Sequence, residues 1–437
     1  MRDVDLFSYQ LSLFERICSR ETLLDAFHAV RRNGGAPGID GVTVEEFESR
    51  LSQEVGQLKK DIESWSYEPS PVRRVEIPKP GGAGVRLLGI PTVRDRVLHA
   101  SIKSVLEPIL DPLFSKNSYG FRPSRNQRQA VESAQQIVKS GKEWVVDIDL
   151  SKFFDRIHHD RLIGRLGKFI DDKRVLRLIG MTLRSGIMSE GVVTIPAEGS
   201  VQGSPLSPLL SNVVLDELDK ELENRGLEFC RFADDCNIFV RSQAAAERVM
   251  QSVVKFIEKR LELVVNREKS KVALSKGVKF LGMTIVAATI AISPKSMQNA
   301  MDKVKELTLR GTSLNMKQTI EKINSWYGGW ASYYSMSQYP YQLLTIEAHV
   351  RRRLRARIIA QQKKKRHLVA KLMERGIKRK TAAGTAYSNR GRWALSYSWA
   401  VRNAFNNHWF IHRMGQKIVT DRRLPHWFKP DIRIHFT

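Results

Sequence analysis

The chain has 437 residues, 42% of them apolar and 27% charged, with 72 Lys and Arg against 46 Asp and Glu for a formal charge of +26. That hydrophobic content excludes a disordered chain, the length allows two or three domains, and the excess of cations selects a polyanionic partner, nucleic acid before an anionic membrane. The 3 cysteines, Cys18, Cys230 and Cys236, have no CxxC spacing and exclude a disulfide framework or a zinc ribbon.

Residues 1–10 carry Asp3 and Asp5 and lack a signal-like apolar run, and no stretch of about eighteen apolar residues follows, so a soluble, cytoplasmic protein without a membrane span is expected. Helical spacing runs over residues 11–32, is broken by the loop NGGAPGIDG (residues 33–41), and resumes over 44–64. Val72–Pro78 alternates as a strand, glycines 81, 82 and 84 turn the chain, and Val85–Ile90 returns, which makes a hairpin with Lys79 and Arg86 near its tip. Helices are predicted over 94–110 and 127–139, a strand over EWVVDIDL (143–150), helices over 159–183 and 209–222, a hairpin over FCRFADDCNIFV (229–240), a helix over 244–261, and strands over 272–274 and 279–285. From 296 to about 391 the pattern is helical and basic: residues 295–437 hold 29 basic against 7 acidic residues, and residues 1–294 hold 43 against 39. An α+β body with a basic, mostly α tail follows, chemistry in the first and phosphate gripping in the second.

Asp147 and Asp149 lie two apart on one side of a predicted strand, among Trp144, Val145, Val146, Ile148 and Leu150. Asp234 and Asp235 are flanked by Phe232 and Ala233 on one side and Cys236, Ile238 and Phe239 on the other. Ionised carboxylates in apolar surroundings are costly unless paired or metal-bound. Each pair alone also reads as a plain turn or a local ion pair; together they make a hard oxygen site suited to two Mg²⁺ ions, with Mn²⁺ as a substitute.

The ordered series VDIDLSKFFD, QGSPLSPLLSN, FADD, REKSKV and FLG resembles the successive motifs of reverse transcriptases, most closely those of group II introns (maturases) of the bacterial, group IIC-like kind. The match extends back through IPKPGGAGVRLLGIPTVRDRV and SYGFRPSRN and forward through INSWYGGWASYY, over most of the chain. The resemblance implies a right-hand polymerase: an N-terminal extension and start of fingers over 1–70, fingers and palm with an antiparallel sheet over 71–294, an all-α thumb (maturase X domain) over 295–365, and a basic DNA-binding region over 366–437. It implies Asp149, Asp234 and Asp235 as catalytic metal ligands; Asp147, two residues before the matched position, touches metal or pairs with a local cation. For the nucleotide it implies Lys79, Arg86, Gln202, Gly203, Lys269, with Lys271 as the fallback, and Phe154 as the aromatic that excludes a ribose 2′-hydroxyl, Phe153 being core. Phe232 stands where the family has Tyr, and Ser204 where it commonly has a second Gly.

For primer and template it implies the Phe280, Leu281 and Gly282 grip and Arg122, for which a structural salt bridge is the alternative. The run Arg351 to Arg366, with Arg351, Arg352, Arg353, Arg355, Lys363, Lys364 and Lys365, is expected to be solvated and free for phosphates. Trp326, Trp330, Tyr333 and Tyr334 fall on one helix face, read as core before base-stacking surface. The implied activity is RNA-directed DNA synthesis from a DNA primer with deoxynucleoside triphosphates, with group II intron RNA bound for splicing and mobility, and target DNA as a further partner. No HNH-type cluster follows, so an endonuclease domain is not expected. A splicing-only maturase with an idle site, and a host-adopted enzyme of DNA repair or phage defence, are the competing readings; a homodimer is compatible with the sequence.

Overall fold

Ser12, Ser19 and Thr43 each stand in extended backbone and accept a hydrogen bond from the N–H three residues on, which starts the helices Leu13–Cys18, Arg20–Asn33 and Val44–Ser49. The span predicted as one helix over 11–32 is therefore two, split at the Ser19 cap, and the next splits at Arg50, whose φ of −119° lies outside the helical range. The computed structural model describes residues 11–78, 85–189, 192–194, 198–199, 203–309 and 311–416. The chain divides into two units, Met1–Leu274 and Ser275–Thr437. The division comes earlier than the border expected at 294/295, and the turn at Phe280 goes with the second unit.

In the first unit, β1 (Val72–Pro78) and β2 (Val85–Ile90) pair antiparallel as predicted, from Arg73↔Ile90 to Pro78↔Val85. Two short strands that the sequence pattern does not show complete this sheet: β4 (Ile187–Ser189), parallel to β1, and β5 (Val192–Thr194), in the order β2-β1-β4-β5. The second sheet is built on β3 (Trp144–Ile148), with β6 (Glu228–Phe232), β7 (Asp235–Val240) and β8 (Lys271–Leu274), in the order β6-β7-β3-β8. Every ladder in it is antiparallel.

Val146, Ile148, Phe229, Cys236 and Ile238 carry that sheet into one apolar core shared with the helices Val93–Leu110, His159–Leu166, Lys173–Leu183, Ser207–Asn224 and Gln243–Arg260. The helix Gln127–Lys139 has the predicted ends because Asn126 caps Gln129 and Gln129 reaches back to the Asn126 N–H, a reciprocal box.

The second unit begins with the hairpin of β9 (Met283–Val286) and β10 (Thr289–Ile292), not the single strand predicted over 279–285. Helices Pro294–Leu307, Met316–Tyr333 and Pro340–Gln361 follow, then shorter ones as far as Trp399–Ala404, around their own core of Val304, Ile320, Ile323, Ile346, Leu354, Leu372 and Phe405. Among the described residues no helix is long and apolar enough to cross a membrane.

Candidate active site

β3 pairs with β7 as Asp147↔Asn237 and Ile148↔Cys236. The paired register ends there, with Asp149 next in the chain after Ile148 and Asp235 next before Cys236. Residues opposite each other on antiparallel strands present side chains to the same face, so Asp147 and Asn237 share one. Lys271 of β8 stands across from Asp147 on that face. The charges register this closeness: the Asp147 carboxyl is pushed up to about 6 by burial first, then by Asp235 and Asp149, with Lys271 opposing. Lys271 is therefore a cation facing Asp147 across the ladder.

Asp149 is held at the end of β3 by its own backbone. Its N–H donates to Ser270 Oγ at 3.0 Å and its carbonyl accepts from the Asn266 N–H at 2.8 Å. Oδ2 is buried without a hydrogen-bond partner, and Lys269 Nζ stands 3.6 Å away. A carboxylate oxygen that accepts no hydrogen bond, on a residue lining a cleft, is a donor that fits a hard divalent cation. Among the described residues no three Asp, Glu, His or Cys side chains form a ready metal cage. Asp149 and Asp234 instead line an open cleft of about 1150 Å³ together with Phe154 and Lys269.

The turn carrying Asp234 rests on a buried scaffold that the sequence did not announce. Ala233 sits at φ 56°, a left-handed conformation that costs a non-glycine residue about 1–2 kcal/mol. Arg231 Nη1 donates to the Ala233 carbonyl at 2.9 Å and to Asn212 Oδ1 at 3.0 Å, and its Nε and Nη2 pair with Asp219 at 2.7 and 2.5 Å. Both members of that ion pair have 0% side-chain exposure. Asn212 Nδ2 donates to the Gly120 carbonyl at 2.9 Å, and a Cβ on Gly120 would lie 2.2 Å from the Ala233 nitrogen. Gly120, Asn212 and the turn from Arg231 to Ala233 are therefore one packed assembly. The one sequence signal was a lone cation, Arg231, inside the apolar run FCRFA.

The cleft walls come from several predicted motifs. Phe154 is half-buried at the wall, whereas Phe153 is buried in the core. Gly203 has φ +129°, and a Cβ there would stand 2.4 Å from the Gly89 carbonyl oxygen of β2, so only glycine fits. Ser204 turns its hydroxyl to His99 Nδ1 at 2.9 Å. The NGGAPGIDG loop lines the cleft through Asn33 to Ala36, tied down by Arg96 to the carbonyls of Gly34 and Ala36. Lys79 and Gln202 lie outside the described residues, and so does the Arg86 side chain.

Arg122 takes the salt-bridge alternative. It is 5% exposed and gives its donors to Asp111 and to the carbonyls of Ser115 and Ser118.

In the second unit the Phe280–Gly282 turn has Phe280 buried, with Leu281 at φ 51° and Gly282 at φ 79°. The Leu281 carbonyl accepts from Tyr333 Oη at 3.1 Å. Trp326 and Trp330 pack on the core as expected, and Tyr333 is exposed. The expectation that the whole run Arg351 to Arg366 is solvated is corrected. Arg351, Arg355 and Arg357 are buried, and Arg353 donates to Thr308 Oγ1 at 2.9 Å, because the helix Pro340–Gln361 packs on several sides. Lys363, Lys364 and Lys365 are exposed.

A carboxylate at one strand end, an acidic pair on the neighbouring hairpin turn, and a cleft with an aromatic wall and a lysine together make the palm of a nucleotidyl-transferring polymerase. The reverse transcriptase (RNA-dependent DNA polymerase) family model matches residues 77–285, and the group II intron maturase-specific domain matches residues 297–376. Protein YkfC of Escherichia coli (strain K12) is 32% identical over 315 residues, 63% of this chain and 82% of that protein. The group II intron-encoded protein LtrA of Lactococcus lactis subsp. cremoris is 30% identical over 249 residues, 57% of this chain but 40% of its own length. A chain of a partial Cas6-RT-Cas1--Cas2 complex aligns over 58% of this chain and 44% of its own, at 26% identity and a TM-score of 0.38. The chain belongs to the group II intron reverse transcriptase and maturase family, and it is an RNA-directed DNA polymerase by that membership.

Proposed function

We propose that the cleft extends a DNA primer on an RNA template, with Asp149, Asp234 and Asp235 holding two Mg²⁺ ions, which Mn²⁺ can replace. The observation that carries this is the buried Asp149 Oδ2, which accepts no hydrogen bond and has Lys269 Nζ 3.6 Å away, in a cleft shared with Asp234. When bound, such an ion pair activates the attacking primer hydroxyl and stabilises the leaving pyrophosphate. The chain's own residues do the rest. Ser270 and Asn266 fix Asp149 by its backbone, and Arg231 fixes the turn of Asp234. Lys269 supplies a cation for the triphosphate, and the Phe154 ring stands against a ribose 2′-hydroxyl, so deoxynucleotides are preferred.

The maturase-specific match supports group II intron RNA as the partner, with a role in splicing and mobility, and target DNA as a second nucleic acid. The test is extension of a DNA primer on an RNA template with deoxynucleotides and Mg²⁺. Asp234→Asn is expected to lose synthesis by at least about a hundredfold while RNA binding is retained. Synthesis equal to the parent's would remove Asp234 from the site.

A further inference from the structure

The second unit contains a cavity of about 380 Å³ whose lining includes Arg351, Arg352, Arg355 and Arg402 and no carboxylate. Four guanidinium groups around one small space repel each other, and the repulsion grows as water is excluded. Arg351 and Arg355 are only 6% and 7% exposed. The Arg355 Nε donates to the Phe405 carbonyl at 2.7 Å, and burial together with the charges of Arg351 and Arg402 pulls its pKa down to about 10. The Arg352 Nε is buried without a hydrogen-bond partner, its guanidinium 4.0 Å from the centroid of Trp393. The nearby acid Glu347 stands 3.9 Å from Arg351 and already accepts from Tyr327 Oη at 2.8 Å, so it offsets at most one of the four charges. Such a wall is stabilised by an anion.

The lining also selects the kind of anion. Arginine forks match phosphate oxygens in two-point contacts better than they match a spherical ion. Tyr397, 61% exposed, carries Arg352 at 5.2 Å and Arg402 at 4.8 Å from its ring centroid. It thus offers an aromatic surface beside the cations, the combination that holds unpaired strands. The cavity is large enough for one phosphate and its sugar and too small for a duplex.

We propose that this pocket holds a backbone phosphate of a single nucleic-acid strand, with the adjoining base on Tyr397. The site lies outside the polymerase cleft and takes from the polymerase reading only its ligand class.

The test measures binding of the full chain to labelled single-stranded RNA and DNA oligonucleotides of one sequence across a salt series, using the exposed residues Arg402 and Tyr397 as probes so that folding is preserved. Arg402→Gln is expected to weaken binding several-fold and to lower the log–log salt slope by about 0.7, the value of one single-strand phosphate contact. Tyr397→Ala is expected to weaken binding about tenfold with the slope unchanged, and Tyr397→Phe to restore it. These losses on either probe support the pocket, and the probe affected more identifies the strand. Parent-like affinity in Tyr397→Ala, or a parent-like slope in Arg402→Gln, overturns it. Primer extension by the parent chain, run alongside, reports on the polymerase cleft separately, because neither substitution touches Asp149, Asp234 or Asp235.

Discussion

Removing the Arg231 guanidinium would strand Asp219 in the core without its cation, a change that costs about 3–5 kcal/mol for buried pairs. Arg231→Ala is therefore expected to shift the denaturation midpoint strongly downward. Arg231→Lys separates stability from function, since an ammonium can answer Asp219 but cannot also reach Asn212 and the Ala233 carbonyl. Steady-state primer extension by that variant should show a lower kcat at a KM close to the parent's; a parent-like kcat would mean that the scaffold does not position the Asp234 turn. His99 gives a pH signature at the same scale. Burial pulls its pKa down to about 4, against about 6.5 for an unfolded imidazole, so between these values the unfolded chain binds the extra proton. The contribution is intact above about pH 6.5 and is lost as pH falls toward 4, amounting to about 3 kcal/mol. His99→Gln should flatten the fall in melting temperature between about pH 6.5 and pH 4.5 relative to the parent, and equal slopes would remove His99 as its source.

Among the elements, the catalytic hairpin depends on a close backbone approach that no side-chain pattern encodes. A methyl on Gly120 would meet the Ala233 nitrogen at 2.2 Å, so Gly120→Ala must move the turn between β6 and β7. A displacement of about 1 Å at reacting groups can cost about a hundredfold, and primer extension should fall by that order. Gly164→Ala, on a helix with nothing within 4 Å of the added atom, is the control expected to stay active. Legibility follows from the range of the forces involved. Alternation and turn residues are local, which is why β1, β2, β3 and the β6–β7 hairpin stand where the sequence predicts them, and why Asp147 pairs across the ladder with Asn237 of the acidic hairpin. The strands β4 and β5 are three residues each and owe their existence to β1, more than a hundred residues earlier in the chain, so no window over them could reveal it. Arg231 with Asp219, and Arg355 with the Phe405 carbonyl, are likewise partnerships of tertiary packing. Composition around Arg351 to Arg366 reads as a uniform charge run, yet the helix buries Arg351, Arg355 and Arg357 and Lys363 to Lys365 stay exposed.

Across the whole molecule the charge is divided as the units are. Ser275–Thr437 carries 31 basic and 7 acidic residues, so +24 of the +26 belongs to the second unit and the carboxylate-bearing first unit is close to neutral. A neutral body keeps its acidic site from being swamped by neighbouring cations. A basic partner unit supplies long-range attraction for a strand, which salt weakens because each neutralised phosphate releases condensed counterions. Lys363, Lys364 and Lys365 are an exposed part of the charge run that suits that role. Replacing all three with Gln is expected to lower the log–log salt slope for duplex binding by about 0.9 for each phosphate no longer neutralised, while kcat at saturating primer and template stays near the parent's. Arg357, buried but not among the residues lining the arginine pocket, should behave in the opposite way. Arg357→Gln removes a guanidinium whose partners are Thr319 and the Leu314 carbonyl, so it should lower the melting temperature and leave the salt slope unchanged. Equal salt effects from the lysine and Arg357 substitutions would mean that Arg357 is a strand-binding cation and not a structural one.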